Sequence, residues 1–244
     1  QIDEHKEFGG VVPELAARAH IEKIEIIIKK AVKESGINLS NLDGIAATAG
    51  PGLIVCLTVG LNIGKAIAGS LNKPFLAINH LEGHALSPKI SNKIKFPYLL
   101  LLISGGHTQF LEVNGVNNYK RLGTTIDDAL GEAFDKTAKL LGIEFPGGPK
   151  IEEWAKKGDE DYFKLPKPIL KIGGCNLSFA GLKTAVLKIS KNIKHKQEKY
   201  NLAASFQKTI EDILCTKTKV AFLEFKKNYI NKNNTFVIAG GVAS

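Results

Sequence analysis

The chain has 244 residues, 44% of them hydrophobic and 23% charged, which suits a globular protein with a real core and excludes collagen-like, coiled-coil and disordered classes. Its formal net charge of +9 is unevenly spread: residues 164–244 hold 15 lysines against four acidic residues, a balance that attracts polyanions such as RNA. Only Arg18 and Arg121 are arginines, so any such attraction works through point charges rather than bidentate forks.

Apolar residues Ile24, Ile27, Ile28 and Val32 recur at helical spacing over 22–35, with Gly36 as a stop. Residues 44–49 read as a short buried strand ending in the turn Gly50-Pro51-Gly52. A second amphipathic helix spans 57–71, closed by Asn72, Lys73 and Pro74, and a strand follows at 75–78. Strand, helix, strand predicts an α/β fold with a partly parallel sheet. The pattern changes at Pro97, which divides the chain into lobes 1–96 and 97–244. In the second lobe, strands are predicted at 98–103 and 109–113, joined by Ser104-Gly105-Gly106-His107. A helix over 124–141 sets Leu130, Phe134, Ala138 and Leu141 on one face and Asp128, Glu132 and Asp135 on the other. A loop at 142–149, a short helix at 150–157 and an irregular connection at 162–175 lead to two basic helices, 179–193 and 199–227. The last strand, 235–239, runs into Gly240-Gly241. No apolar run approaches the roughly 20 residues of a membrane span, so no membrane contact is expected. Residues 1–8 are polar, without a signal core, and Cys56, Cys175 and Cys215 are widely spaced, which points to the cytoplasm. The absence of Met, even at position 1, reads as a fragment or processed piece.

Three motifs carry chemistry. His80-Leu81-Glu82-Gly83-His84 puts two imidazoles one helical turn apart, where both can reach one metal ion. Glu82 points away from that face, which argues against a zinc peptidase, and the pair can equally be two polar residues of a helix. In Ser104-Gly105-Gly106-His107-Thr108 the glycines let backbone amides approach an anion, with Ser104 and Thr108 as hydroxyl donors and His107 as a phosphate or metal contact. The same residues also suit an ordinary hairpin turn. Two more glycine turns, Pro146-Gly147-Gly148-Pro149 and Ala239-Gly240-Gly241-Val242, suggest together with the first a nucleotide held in a cleft. Asp128 and Glu132 read as solvated, whereas Asp135 suits the ribose hydroxyls of such a nucleotide.

In order along the chain, Gly9–Ala16, Thr48–Leu53, His80–His84, Ile103–Gln109, Gly131–Lys136, Pro146–Pro149, Asn176–Thr184 and Ala239–Val242 resemble the motifs of the tRNA N6-adenosine threonylcarbamoyltransferases, once described as sialoglycoprotein endopeptidases. The resemblance implies an actin-like (ASKHA, ribonuclease H-like), two-lobed ATPase-type fold, incomplete here at both termini. It implies transfer of threonylcarbamoyl from threonylcarbamoyl-AMP, or an ATP-type nucleotide as ligand, to N6 of the adenosine beside the anticodon of tRNA (t6A). It further implies that His80 and His84 bind one divalent metal ion, iron or zinc. Ile103, Ser104, Gly105, Gly106, His107, Asp135 and Gly148 would bind the adenylate, with His107 assisting proton transfer. Small partner proteins, including a paralogue, are expected. Against the family, the opening acidic strand, a nucleotide-contacting asparagine and a third metal ligand, an aspartate, are missing, so weak metal binding and poor activity are expected of residues 1–244 alone. Two other readings are a small-molecule kinase or ATPase of the same fold and a non-catalytic scaffold subunit of a tRNA-modification complex.

Overall fold

The computed structural model of the protein describes residues 5, 8, 10–229 and 234–243. It separates into two compact units, Gln1–Gly83 and His84–Ser244. In the first unit, helix α1 (Pro13–Ser35) begins earlier than the isoleucine periodicity indicates. Pro13 takes the first helical position, where its missing N–H costs nothing, and the buried stretch is Ala16, Ala17 and Ala19, too small to give a strong periodic signal. Gly36, in the left-handed conformation, ends the helix. Strands β1 (Ile45–Gly50) and β2 (Phe75–Asn79) pair in parallel, Ile45 opposite Phe75 and Thr48 opposite Ile78, around the crossover helix α2 (Ile54–Ser70). Gly64 of α2 lies so close to the sheet that a Cβ there would sit 3.1 Å from both Ala47 Cβ and the Phe75 ring. A short helix, α3 (His80–Leu86), follows β2 directly, and the division between the units falls inside it.

After α4 (Pro88–Ser91), the second unit is built on a four-stranded sheet of order β5-β4-β3-β6. The apolar run Tyr98–Ile103 forms β3, buried along its whole length, as a central strand covered on both faces requires. It pairs antiparallel with β4 (Thr108–Gly115) and parallel with β6 (Phe236–Ala239). Beyond β4 lies β5 (Asn118–Thr124), which sequence patterning misses because it is an edge strand studded with Lys120 and Arg121. Four helices complete the unit: α5 (Leu130–Leu141), α6 (Gly147–Ala155), α7 (Ala180–Ser190) and α8 (Lys196–Asn228). Leu99, Leu101, Phe110, Leu141, Leu177, Phe179 and Phe206 are among the residues of their shared core. Phe134 of α5 meets Phe206 of α8 edge to face, ring centroids 5.1 Å apart.

The helix expected over 124–141 begins only at Leu130, because Thr124 closes β5 and residues 125–129 form a loop. Asp127 and Asp128 therefore precede α5 rather than lying on its face. The Asp127 carboxylate accepts hydrogen bonds from the Ser178 hydroxyl and from the amides of Phe179 and Ala180, 2.7 and 3.2 Å away, capping α7. Asp128, expected to be a solvated residue, has its side chain only 15% exposed and accepts from Lys136 of α5 at 2.9 Å and Lys183 of α7 at 2.8 Å. Among the described residues, no helix is long and apolar enough to cross a membrane.

Candidate functional site

A cavity of about 570 Å³ opens in the second unit. Five segments wall it: the end of β3 with its following turn (Ile103, Gly105), the start of α5 (Leu130, Gly131, Phe134, Asp135), the start of α6 (Pro146, Gly148, Pro149, Glu152), the middle of α8 (Gln207, Ile210, Glu211, Leu214) and the turn after β6 (Gly241, Val242). The turn after β3 is closed by the Ser104 amide donating to the His107 carbonyl at 2.7 Å and the His107 amide donating to Ser104 Oγ at 3.0 Å. Gly105 and Gly106, at its tip, are exposed, with open space where a Cβ would stand. The Ser104 hydroxyl is thus engaged within the turn. Thr108, expected to donate to an anion, is buried, and its Oγ1 accepts from the Leu130 amide at 2.8 Å, which ties the start of β4 to the start of α5.

Two close approaches draw the segments together. A Cβ on Gly131 would stand 2.8 Å from Gly105 Cα and 2.9 Å from Val242 Cγ2, so only glycine lets α5 touch both turns. Gly240 has φ +111°, and a Cβ there would fall 2.1 Å from the Ile103 carbonyl oxygen, which also accepts from the Val242 amide at 3.2 Å. On the far wall, Asp135 Oδ1 accepts from the Gly147 amide at 2.9 Å. Burial pushes the Asp135 carboxyl above its ordinary range, and that one amide only partly opposes the shift. Phe134, Phe145, Ile210 and Leu214 offer an apolar slot, the first turns of α5 and α6 supply amides, and Asp135, Glu152 and Glu211 supply carboxylates. Among the described residues that line it, none is Lys, Arg or His. Such a wall suits a flat apolar ring and donor hydroxyls.

Of the residues singled out from the sequence, Ile103, Gly105, Asp135 and Gly148 line this one cavity. Ser104, Gly106 and His107 belong to the same turn without lining the wall. Sequence reasoning passed over Gln207 and Glu211, one helical turn apart in a helix that reads simply as basic, and over Gly131 and Phe134 as wall residues. His80 and His84 share α3, whose start is capped by Asn79 Oδ1 accepting from the Leu81 and Glu82 amides at 2.9 and 3.4 Å. Among the described residues no group of three or more His, Cys, Asp or Glu could hold a metal ion.

The sheet, with three antiparallel strands and a fourth added in parallel, and the glycine turns at its strand ends are those of the actin-like, ribonuclease H-like ATPase-type class. The family model for TsaD, tRNA N6-adenosine threonylcarbamoyltransferase, matches residues 1–244, and the chain belongs to that family. It is 74% identical over 245 residues to the tRNA N6-adenosine threonylcarbamoyltransferase of Pelagibacter ubique, all of this chain against 68% of that protein. It is 51% identical over 248 residues to the enzyme of the same name from Agrobacterium fabrum, again all of this chain against 68% of the other. Among solved structures, it is similar to component A of the (R)-2-hydroxyglutaryl-CoA dehydratase of Acidaminococcus fermentans, with 16% identity and TM-score 0.48 over 88% of this chain and 68% of that one. The chain is thus an acyltransferase that modifies tRNA, forming t6A.

Proposed function

We propose that the cavity binds threonylcarbamoyl-AMP and that the chain passes its threonylcarbamoyl group to N6 of the adenosine beside the anticodon. The observation that carries this reading is the convergence of three glycine turns, distant in sequence, with Asp135 on one nucleotide-sized space. We assign the phosphate to the Gly105 and Gly148 segments and the first turns of α5 and α6, where helix dipoles favour negative charge. Asp135 takes the ribose hydroxyls, and Phe134, Ile210 and Leu214 flank the base.

The exocyclic amine is a weak nucleophile because its lone pair is delocalised into the purine. In the transfer it attacks the carbamoyl carbon, a C–N bond forms, the C–O bond to phosphate breaks, AMP leaves with the electron pair and N6 gives up a proton. The turn amides hold the charge that collects on the departing phosphate, and no covalent enzyme intermediate is required. His107, half-buried in the same turn, is our candidate to receive the proton, alongside the adenylate contacts of Ser104 and Gly106. We further assign His80 and His84 as two ligands of a divalent iron or zinc, with the other positions filled by groups other than described side chains. When bound, such an ion supplies Lewis acidity toward a carbonyl oxygen.

The reading extends to small partner proteins, a paralogue among them, and exposed Ile21, Ile26, Ile27 and Ile54 of the first unit give such partners apolar surface. The free cysteines Cys56, Cys175 and Cys215 support the cytoplasm as its place. The test is mass spectrometry of tRNA nucleosides after incubating the natural full-length protein and its partners with threonylcarbamoyl-AMP and unmodified tRNA. The threonylcarbamoyl adduct on adenosine is expected, and its absence, or gamma-phosphate transfer from ATP instead, would overturn the assignment.

A further inference from the structure

The adenylate cavity accounts for none of the basicity of the last third of the chain. Residues 188–196, which turn from α7 into α8, carry Lys188, Lys191, Lys194, His195 and Lys196, all exposed. The apolar residues between them, Ile189 and Ile193, pack on the core, so the turn is anchored from below while its cations face water. Its backbone is also fixed: Glu198 Oε2 accepts from the amides of Lys194 and His195, each at 3.0 Å. Those two amides, and after them the charges of His195 and Lys194, hold the Glu198 carboxyl below its usual range. Among the described residues, no carboxylate lies within ion-pair distance of Lys188, Lys191, Lys194 or Lys196. Several lysines elsewhere are neutralised along their own helices, as Lys29 is by Glu25 at 2.6 Å and Lys156 by Glu152 at 2.8 Å. Beside the turn, the ammonium groups of Lys196 and Lys157 stand 5.7 and 5.9 Å from the Tyr200 ring centroid.

We infer that this lysine knuckle docks the sugar–phosphate backbone of the tRNA substrate, an inference that rests on the family reading of tRNA as the substrate. Unpaired, exposed lysines on an ordered turn gain counterion-release free energy from a polyphosphate without first breaking ion pairs or ordering a loop. Lysine rather than arginine suits contacts that position a backbone without reading its sequence. The location fits as well, because α8 runs from the knuckle to the cavity wall. At a rise of about 1.5 Å per residue, Gln207 lies about 16 Å along the helix from Lys196, a few nucleotides' reach from a target base.

The test compares the natural full-length protein with a variant carrying Lys188→Gln, Lys191→Gln, Lys194→Gln and Lys196→Gln, and with a charge-matched control carrying Lys29→Gln, Lys30→Gln, Lys33→Gln and Lys219→Gln. Direct tRNA binding is measured across a salt series, and t6A formation is measured separately. The knuckle variant is expected to bind tRNA about tenfold or more weakly, with the slope of log affinity against log salt reduced by about three. Its KM for tRNA rises while kcat at saturating tRNA and adenylate affinity stay those of the wild type. Unchanged tRNA affinity and salt slope, or an equal loss in the control, would overturn the docking surface. So would binding of the knuckle to anionic vesicles or an acidic protein with tRNA affinity intact. A wild-type protein that binds tRNA through the knuckle yet forms no t6A would instead sink the activity and leave the docking surface standing.

Discussion

Burial holds the Asp135 carboxyl above its usual range although the Gly147 amide, 2.9 Å away, favours the charged form. A carboxyl raised in the folded state contributes stability at pH below its unfolded value and loses it as pH rises through the folded value, so at neutral pH the charge costs stability. Asp135→Asn keeps an acceptor for Gly147 and removes that cost. Its melting temperature is expected to match or exceed the wild type, while adenylate affinity, read by calorimetry, falls about tenfold or more for loss of a charged acceptor. A lower melting temperature with unchanged affinity would contradict the ribose role. Asp135 was legible in the sequence as one carboxylate of an amphipathic helix. Gln207 and Glu211 were not, because nothing in the lysine-rich pattern of residues 196–228 distinguishes the wall of a cavity from a solvated stripe.

Two consecutive aspartates fix how α5 and α7 meet. Asp127 caps α7, and Asp128 reaches Lys183 on α7 and Lys136 on α5. Burial alone would raise the Asp128 carboxyl, yet the hydrogen bonds from Lys183 and Lys136 hold it below its ordinary range. A depressed carboxyl contributes stability above the usual carboxylate range and loses it as pH falls through the folded value. Asp128→Asn is therefore expected to cost about 2 kcal/mol at neutral pH. In urea melts across pH, the gap to wild type should close below the usual carboxylate range, and a gap constant down to strong acid would argue against the ion pairs. Apolar runs and strong punctuation made β3, α2 and α7 readable. The loop at 125–129 was misread as helix because its acids continue the helical period into Leu130, and β5 was missed because an edge strand has no need of an apolar face.

At the level of the whole chain, the order of the motifs is enough to place the protein in its family, whereas the meeting of particular glycines at the cavity shows only in the coordinates. The His80 and His84 assignment makes a separate prediction. His80→Ala with His84→Ala should reduce bound iron or zinc, measured by elemental analysis of the purified protein, to background while the far-ultraviolet circular dichroism stays the same, because neither imidazole is in the core. Metal retained at wild-type stoichiometry would remove the pair from the coordination shell. The docking of the Gly240 turn on the Ile103 carbonyl has a consequence for synthesis. A ribosome working at about 10 residues per second passes Ile103 on the order of ten seconds before it delivers Gly240. Throughout that interval the nascent chain carries an unfinished pocket with its apolar lining uncovered, so newborn molecules pass through a window of stickiness that the finished enzyme never revisits.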